Sequence, residues 1–178
     1  KVLILFLSAL AGLTAFYLPY RQQQIASQVP PIHDITTSIE SPPQFVAIVP
    51  LRADAPNPPE YLGGETAELQ RQFYPDIMSI VYIQSPEQVF SAVTDVATAL
   101  GWEIVDANLA DGRVEATETT KWFGFKDDVV VRLTTGTANS TILDVRSKSR
   151  VGRSDIGVNA KRIRTFTSLL NARLGVEN

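Results

Sequence analysis

The chain has 178 residues, of which 44% are hydrophobic and 20% charged, ordinary values for a folded protein. The absence of cysteine excludes disulfide scaffolds, cysteine-ligated metal sites and thiol catalysis, and the single histidine argues against a multi-histidine metal site. A net charge of −3 argues against general nucleic-acid binding, which needs many lysine and arginine contacts to phosphate. We therefore expect no cofactor, no metal and no nucleic-acid partner.

The N-terminal segment Val2–Tyr20 holds 19 residues without a charge. About 20 apolar residues are needed to span a bilayer as a helix. Residues 1–21 are therefore predicted to form a transmembrane helix, with Pro19 at its end. A cleaved signal peptide is the competing interpretation, but the apolar run is longer than the usual signal core.

The charges that flank this segment determine its orientation only weakly. Lys1 precedes it and Arg21 follows it, so the positive-inside count is nearly a tie. Since an apolar N-terminal segment usually acts as a signal-anchor, we expect a single-pass protein of the bacterial inner membrane with its soluble domain in the periplasm.

Residues 22–64 contain eight of the eleven prolines and are predicted to form an extended arm. Phe45–Val49 is a candidate short edge strand that Pro50 stops. Two alternatives stay open for this arm: it runs along the surface of a partner, or it wraps its own domain.

Residues 65–178 are predicted to form the folded domain. Ser85, Pro86 and Gln88 form a capping box that starts a helix. The predicted order is β-α-β-β-β-β-α, an α+β fold with an antiparallel sheet and helices packed on one face. The elements expected are a helix at 65–73, a strand at 79–83, the capped helix, strands at 102–106, 113–119, about 129–133 and 143–147, and a helix at 158–174.

Alternation along the predicted strands assigns side chains to faces. In the 113–119 strand, Val114 should point inward, while Glu115 and Thr117 should point outward. Asp127 and Asp128 are neighbours in the chain and should point to opposite faces, so a solvated pair at a hairpin end is favoured over a metal or acid pair.

An aromatic cluster, Trp122, Phe123 and Phe125, surrounds a glycine between two predicted strands. At a hairpin tip these side chains would contact a membrane interface or a partner. At strand ends they would pack on the core, and this second interpretation is favoured.

A basic segment follows in the last third of the chain, where residues 141–178 carry a net charge of +5, against −7 for residues 65–140. Spacing by two places three of its cations on one sheet face. Either the segment binds an anion, or it pairs with the acidic residues; pairing is favoured, with Arg153 held by Asp155 before the final helix. The candidate cluster comprises Arg146, Lys148, Arg150, Arg153, Lys161 and Arg164.

Three stretches of sequence carry a resemblance: WFGFKDDVVVR (122–132), SKSRVGRSDIGVNAKRIR (147–164) and PPIHDITTSIESPPQF (30–45). They resemble the bacterial membrane-associated family known as domain of unknown function fourteen-ninety-nine. The resemblance implies an α+β domain, often behind an N-terminal membrane segment. It brings no established reaction and no catalytic residue.

No GxGxxG, P-loop, HExxH or GxSxG motif occurs in the chain. The first hypothesis is a non-enzymatic, single-span accessory subunit of a membrane complex, photosynthetic or respiratory, with other membrane subunits and the lipid bilayer as partners. The second is a membrane-tethered domain that binds an anionic small molecule or a lipid headgroup. A hydrolase is the weakest hypothesis.

Overall fold

The computed structural model describes residues 2–121 and 123–176. Six strands form one antiparallel sheet and four α-helices accompany it. The strands are β1 (Asp34–Thr36), β2 (Ile80–Tyr82), β3 (Glu103–Asn108), β4 (Arg113–Thr119), β5 (Lys126–Thr135) and β6 (Thr141–Ser149). The helices are α1 (Val2–Ser27), α2 (Gly64–Phe73), α3 (Pro86–Ala99) and α4 (Val158–Leu174).

The sheet has the order β1-β6-β5-β4-β3, and β2 pairs with β6 beside β1. Asp34 of β1 lies opposite Lys148, and Ile80 of β2 lies opposite Leu143, so the two short strands share one edge of β6. The predicted α+β fold is confirmed. The strand that the prediction omitted is β1, which lies within the proline-rich arm.

Helices α3 and α4 cover one face of the sheet, as predicted. The expected capping box starts α3, with the Ser85 hydroxyl accepting from the Gln88 amide. Val89 and Val93 of α3 and Phe166 of α4 are fully buried against the sheet. The Phe166 ring stacks on Trp102 at a centroid distance of 5.3 Å. This helix-covered face holds the main hydrophobic core.

The proline-rich arm covers the opposite face of the sheet. Phe45 and Ile48 are buried against Val130 in a small second core. Glu115 and Thr117 point to this face, as alternation predicts, but they are 0% and 3% exposed, so the expectation that they face solvent was wrong. The arm wraps its own domain, which makes the architecture three layers: helices, sheet and arm.

The predicted edge strand at Phe45–Val49 is absent from the described structure of the arm. Residues 45–48 form an irregular turn, and a 3-10 helix follows at Val49–Arg52. The reason is local: the backbone amides of residues 46–48 donate to the Glu115 carboxylate at 2.8, 3.1 and 2.9 Å. These amides converge on one anion and therefore do not form a strand ladder.

Helix α1 projects from the domain, and none of its apolar segment Val2–Arg21 is buried by the rest of the chain. The mean hydropathy of 2.1 and the length of 20 residues are sufficient to cross a membrane, and a signal sequence has the same features. Pro19 lies inside α1 and does not end it, contrary to the prediction. A membrane-type helix tolerates the loss of the backbone hydrogen bond that proline cannot donate.

The turn between β3 and β4 provides a test of the fold. Gly112 has a φ of 60°, and a β-carbon there would collide with the Leu133 carbonyl oxygen. Gly112→Ala should lower the free energy of unfolding by on the order of 3 kcal/mol, because collision adds to left-handed strain. Gly101→Ala is the control: Gly101 has a φ of 77° but open space around it, so only strain of about 1–2 kcal/mol is expected. Equal losses in urea unfolding of the two variants would contradict this account.

Candidate functional site

A buried group of charges joins the arm to the sheet. The Arg146 guanidinium donates from Nε and Nη2 to the Asp34 carboxylate at 2.9 and 2.8 Å. Lys148 Nζ lies 3.0 Å from the same carboxylate. The side chains of Arg146 and Lys148 are 0% and 1% exposed, so one arm carboxylate is the shared counterion of two cations of β6 that lie out of water.

Arg146 also holds distant parts of the arm together. Its guanidinium donates to the carbonyl oxygens of Pro43 at 3.2 Å and Pro59 at 2.9 Å. The rings of Phe45 and Tyr61 lie 4.9 and 5.4 Å from the guanidinium carbon. Cation–π contacts of this kind gain strength where water is excluded. One side chain of β6 therefore fixes the arm at four positions.

Lys148 completes this group. Its ammonium donates to the Glu60 carbonyl oxygen at 2.7 Å. Burial lowers the pKa of Lys148, and the Asp34 carboxylate opposes that change. The cost of desolvating the ammonium is therefore offset only while Asp34 remains beside it.

Asp128 forms a second buried centre on the same face. Its carboxylate accepts from Arg52 Nη1 at 2.6 Å, from Arg150 Nε and Nη2 at 2.8 Å each, and from the Thr117 hydroxyl at 2.7 Å. Arg150 also donates to the Leu51 carbonyl oxygen at 2.8 Å. Asp128 is fully buried, so the prediction of a solvated hairpin-end residue was wrong.

Asp127 points to the opposite, helix-covered face, as predicted, but it too is buried. Arg162 of α4 donates to the Asp127 carboxylate at 2.6 Å and to the Ser147 hydroxyl at 3.0 Å. Arg162 also pairs with Glu118. The two neighbouring aspartates therefore fasten two different layers to the sheet, the arm through Asp128 and α4 through Asp127.

The loop before α4 differs from the prediction in its ion pairing. Asp155 accepts from the backbone amides of Gly157 at 2.8 Å and Asn159 at 2.7 Å, so it satisfies free amides at the start of α4 as expected. Burial raises the pKa of Asp155, and these two amides counter the change. Arg153 is exposed and has no ion-pair partner among residues 2–121 and 123–176, so its predicted pairing with Asp155 was wrong.

The six residues of the basic cluster lie in separate places. Arg146, Lys148 and Arg150 share the arm-covered face, as their spacing predicts. Arg164 is on the helix layer, where it makes two hydrogen bonds of 2.7 Å to Asp76. Arg153 and Lys161 are exposed near the start of α4. The structure therefore does not bring the six cations together around one cavity.

The residues that the structure describes offer no candidate metal site. Within them, no group of three histidine, aspartate or glutamate side chains lies close enough to bind an ion. The buried carboxylates Asp34, Asp127 and Asp128 each face arginine or lysine partners. Their chemistry is that of structural ion pairing.

One end of the sheet brings three connecting segments together. Because Thr119 pairs with Lys126 and Asp127 pairs with Ser149, the end of β4, the start of β5 and the end of β6 meet there. The connection from α1 enters at the same end, where the Asp155 amide donates to the Ile32 carbonyl oxygen at 3.1 Å. We call this region the anchored end; it comprises the connection 28–33, the β4–β5 hairpin tip (residues 120, 121 and 123–125) and the loop 150–157.

Two aromatic side chains protrude from the anchored end. Phe123 is 77% exposed and Phe125 is 51% exposed, and their rings stack at 5.6 Å. The favoured prediction of core packing was therefore wrong for both; Trp122 lies outside the described residues. Cavities of about 320 Å³ and 240 Å³ border Phe125 on either side. This end is the candidate interaction site of the domain.

Several important residues were missed by sequence reasoning, chief among them Asp34, Arg52 and Glu115. Each acts through a partner more than 60 residues away in the chain. The available signal for these buried ion pairs was the charge on one face of the alternating strands, which carries Glu115, Asp128, Arg146 and Lys148. That signal is ambiguous, because a sheet face exposed to water is also polar. Within the proline-rich arm, the charged residues Asp34 and Arg52 hinted at a docked cover.

A comparison with protein families matches residues 34–170 to the family described as protein of unknown function DUF1499. The chain belongs to this family. The match begins at Asp34, so it includes the arm as well as the sheet and helices. A search of curated proteins finds no match to the chain. The family description names no reaction, so the chemistry of the DUF1499 domain has to be argued from its geometry.

Removing the arm carboxylate tests the buried charge group. Asp34→Asn should lower the free energy of unfolding by about 3–5 kcal/mol, because Arg146 and Lys148 would lose their buried anion. It should also make the arm more sensitive to protease. The matched control is Glu40→Gln, which breaks an exposed arm–α2 pair with Arg71 and should leave stability nearly unchanged. Equal urea unfolding curves for the two variants would refute the role of Asp34.

The two arginines before α4 give a second test. Arg150→Ala should lower the free energy of unfolding by about 1–3 kcal/mol, since it removes the partly buried hydrogen bonds to Asp128 and the hydrogen bond to the Leu51 carbonyl oxygen. Arg153→Ala, three residues away, removes an exposed side chain and should leave the melting temperature nearly unchanged. A larger loss for Arg153→Ala than for Arg150→Ala in thermal melts would reverse this assignment.

Proposed function

We propose that this DUF1499 protein is a non-enzymatic, single-span accessory subunit whose helix α1 packs against another membrane protein. The observation that carries the proposal is the exposure of α1. Its segment Val2–Arg21 is apolar and receives no cover from the chain itself. Lipid and a neighbouring membrane protein are the surroundings that such a segment fits.

The face of α1 around Gly12 supports a protein neighbour. Ser8 and Gly12 are four residues apart, as are Ala11 and Ala15, so each pair shares a helix face. A β-carbon at Gly12 would meet nothing within 4 Å. Small residues at this spacing allow a second membrane helix to approach closely.

The organisation of the domain supports a structural role. The charged groups that could have served chemistry, Asp34, Asp127 and Asp128, instead hold the arm and α4 to the sheet. We propose that the domain stands on the periplasmic side of a bacterial inner membrane and contacts neighbouring subunits there. A photosynthetic or respiratory assembly is the first host to examine.

The alternative function, a tethered domain that binds an anionic ligand, has less support. Three of the cations that would form such a site are already paired: the buried Arg146 and Lys148 with Asp34, and the partly exposed Arg150 with Asp128. An anion would have to displace these carboxylates in a water-poor layer.

Purification of the full chain from its native membrane in mild detergent tests the proposed subunit role. We expect other membrane proteins to co-purify in fixed ratio, and Gly12→Leu to reduce their recovery several-fold by blocking close helix approach. Leu13→Ile is the control, because it changes a lipid-type side chain of α1 without adding bulk beside Gly12. Deletion of residues 1–20 should release a soluble domain without partners. A monomeric full-length chain in native membranes would refute the proposal.

A further inference from the structure

We propose that the β4–β5 hairpin tip is a second membrane contact, which inserts Phe123 and Phe125 into the interface of an anionic lipid surface. This inference goes beyond the subunit role, because it concerns how the domain sits on the bilayer. It requires only that α1 is embedded in the same membrane. The partner is the lipid surface itself.

The short connection from α1 places the anchored end near the bilayer. The helix continues six residues beyond Arg21, which adds roughly 9 Å at about 1.5 Å per residue. Val29 then packs beside Gly157, with its Cγ1 3.6 Å from the position of a β-carbon there. The polar headgroup layer is itself roughly 5–8 Å thick on each side. The loops at this end therefore lie within side-chain reach of the lipid interface.

The hairpin tip is built to present its aromatic side chains. The Thr120 amide donates to the Phe125 carbonyl oxygen at 2.8 Å, and the Phe125 amide donates to the Thr120 hydroxyl at 2.9 Å. Gly124 takes a φ of 64°, which the tight turn requires. With this backbone closed on itself, the Phe123 and Phe125 rings stack outside the core. Aromatic rings held at an exposed tip are suited to the boundary between lipid and water.

Apolar surface continues from the tip onto the arm and the loop before α4. Leu51 is 54% exposed and Val151 is 39% exposed, and both border the 320 Å³ cavity beside Phe125. Three segments distant in the chain therefore contribute to one apolar surface. A cluster of exposed apolar side chains is a stronger indication of an interaction surface than single exposed apolar side chains are.

The charges around the tip complement anionic headgroups. Lys121, Lys126, Arg153 and Lys161 are exposed, and none of them has an ion-pair partner in the described part of the chain. The exposed acidic residues at the same end that lack an ion-pair partner in the described part of the chain are Asp54 and Glu103; Glu118, whose side chain is 38% exposed, is paired with Arg162. Four cations against two anions leave this end positive, although the whole chain has a net charge of −3. A negative lipid surface attracts such a region within about one Debye length, roughly 8–10 Å.

The absence of cysteine in the chain permits a direct depth measurement. A spin label is attached to Phe123→Cys in the full-length protein, reconstituted in phosphatidylcholine vesicles with or without phosphatidylglycerol. Collision with oxygen and with a water-soluble nickel chelate then reports immersion in lipid. Leu109→Cys is the matched control, because Leu109 is 46% exposed near the β3–β4 turn at the opposite end of the sheet. Leu10→Cys reports whether α1 has inserted.

We expect the oxygen-to-nickel collision ratio at 123 to exceed that at 109 several-fold, and to rise further with phosphatidylglycerol. Lys121→Glu with Lys126→Glu should abolish that further rise. Where Leu10→Cys shows α1 inserted, a label at 123 that is as accessible to nickel as the label at 109 in vesicles with phosphatidylglycerol overturns the proposal. A Leu10→Cys label that stays outside the bilayer removes its premise and overturns it as well. Protection of 123 only in a complex purified from native membranes, and not in vesicles, also overturns it and assigns the tip to a protein partner. If position 123 contacts lipid but no other membrane protein co-purifies with the full chain, that result counts against the subunit role alone.

Discussion

The carboxylate of Asp34 is the contact on which the three-layer arrangement depends. It lies between Arg146 and Lys148 of β6, and its own strand β1 pairs with the same stretch of β6. Two buried cations without an anion would carry a desolvation cost of several kcal/mol each. With the anion in place, the guanidinium is free to bind arm carbonyls and to stack on Phe45 and Tyr61. The attachment of the arm thus depends on the Asp34 carboxylate as the counterion of Arg146 and Lys148.

The arm changes what the sheet can do. A sheet whose second face carries Glu115, Asp128 and Arg146 would be stable in water with that face open. Here each of these charges has a partner in the arm, so the face is closed and its cations are no longer available to an outside anion. Exposed apolar surface remains elsewhere, at the loops, at α1 and at β2, where Val81 is 64% exposed. The same contacts draw the start of β1, and hence the connection from α1, against the loop before α4.

Two places in this DUF1499 protein carry the proposals about its function. The uncovered α1 supports a neighbour within the membrane, and the anchored end supports a contact at its surface. These two places are joined by a connection of only a few residues, since Val29 already packs beside Gly157. With α1 in the membrane, as we propose, so short a connection limits how far the domain and its exposed hairpin tip can turn from the bilayer.

The sequence by itself determined the local elements. Periodicity, the capping box at Ser85 and the turn at Gly112 depend on neighbouring residues, and the α+β fold with helices on one face followed from them. Only the tertiary structure decided what covers the second face, because Asp34 and Arg146, which join the arm to the sheet, are 112 residues apart in the chain. The polar alternation of a strand is the same whether water or an arm covers that face. It also decided that Phe123 is exposed, since an aromatic residue between two strands suits a core or a tip equally until the register of the strands places the turn.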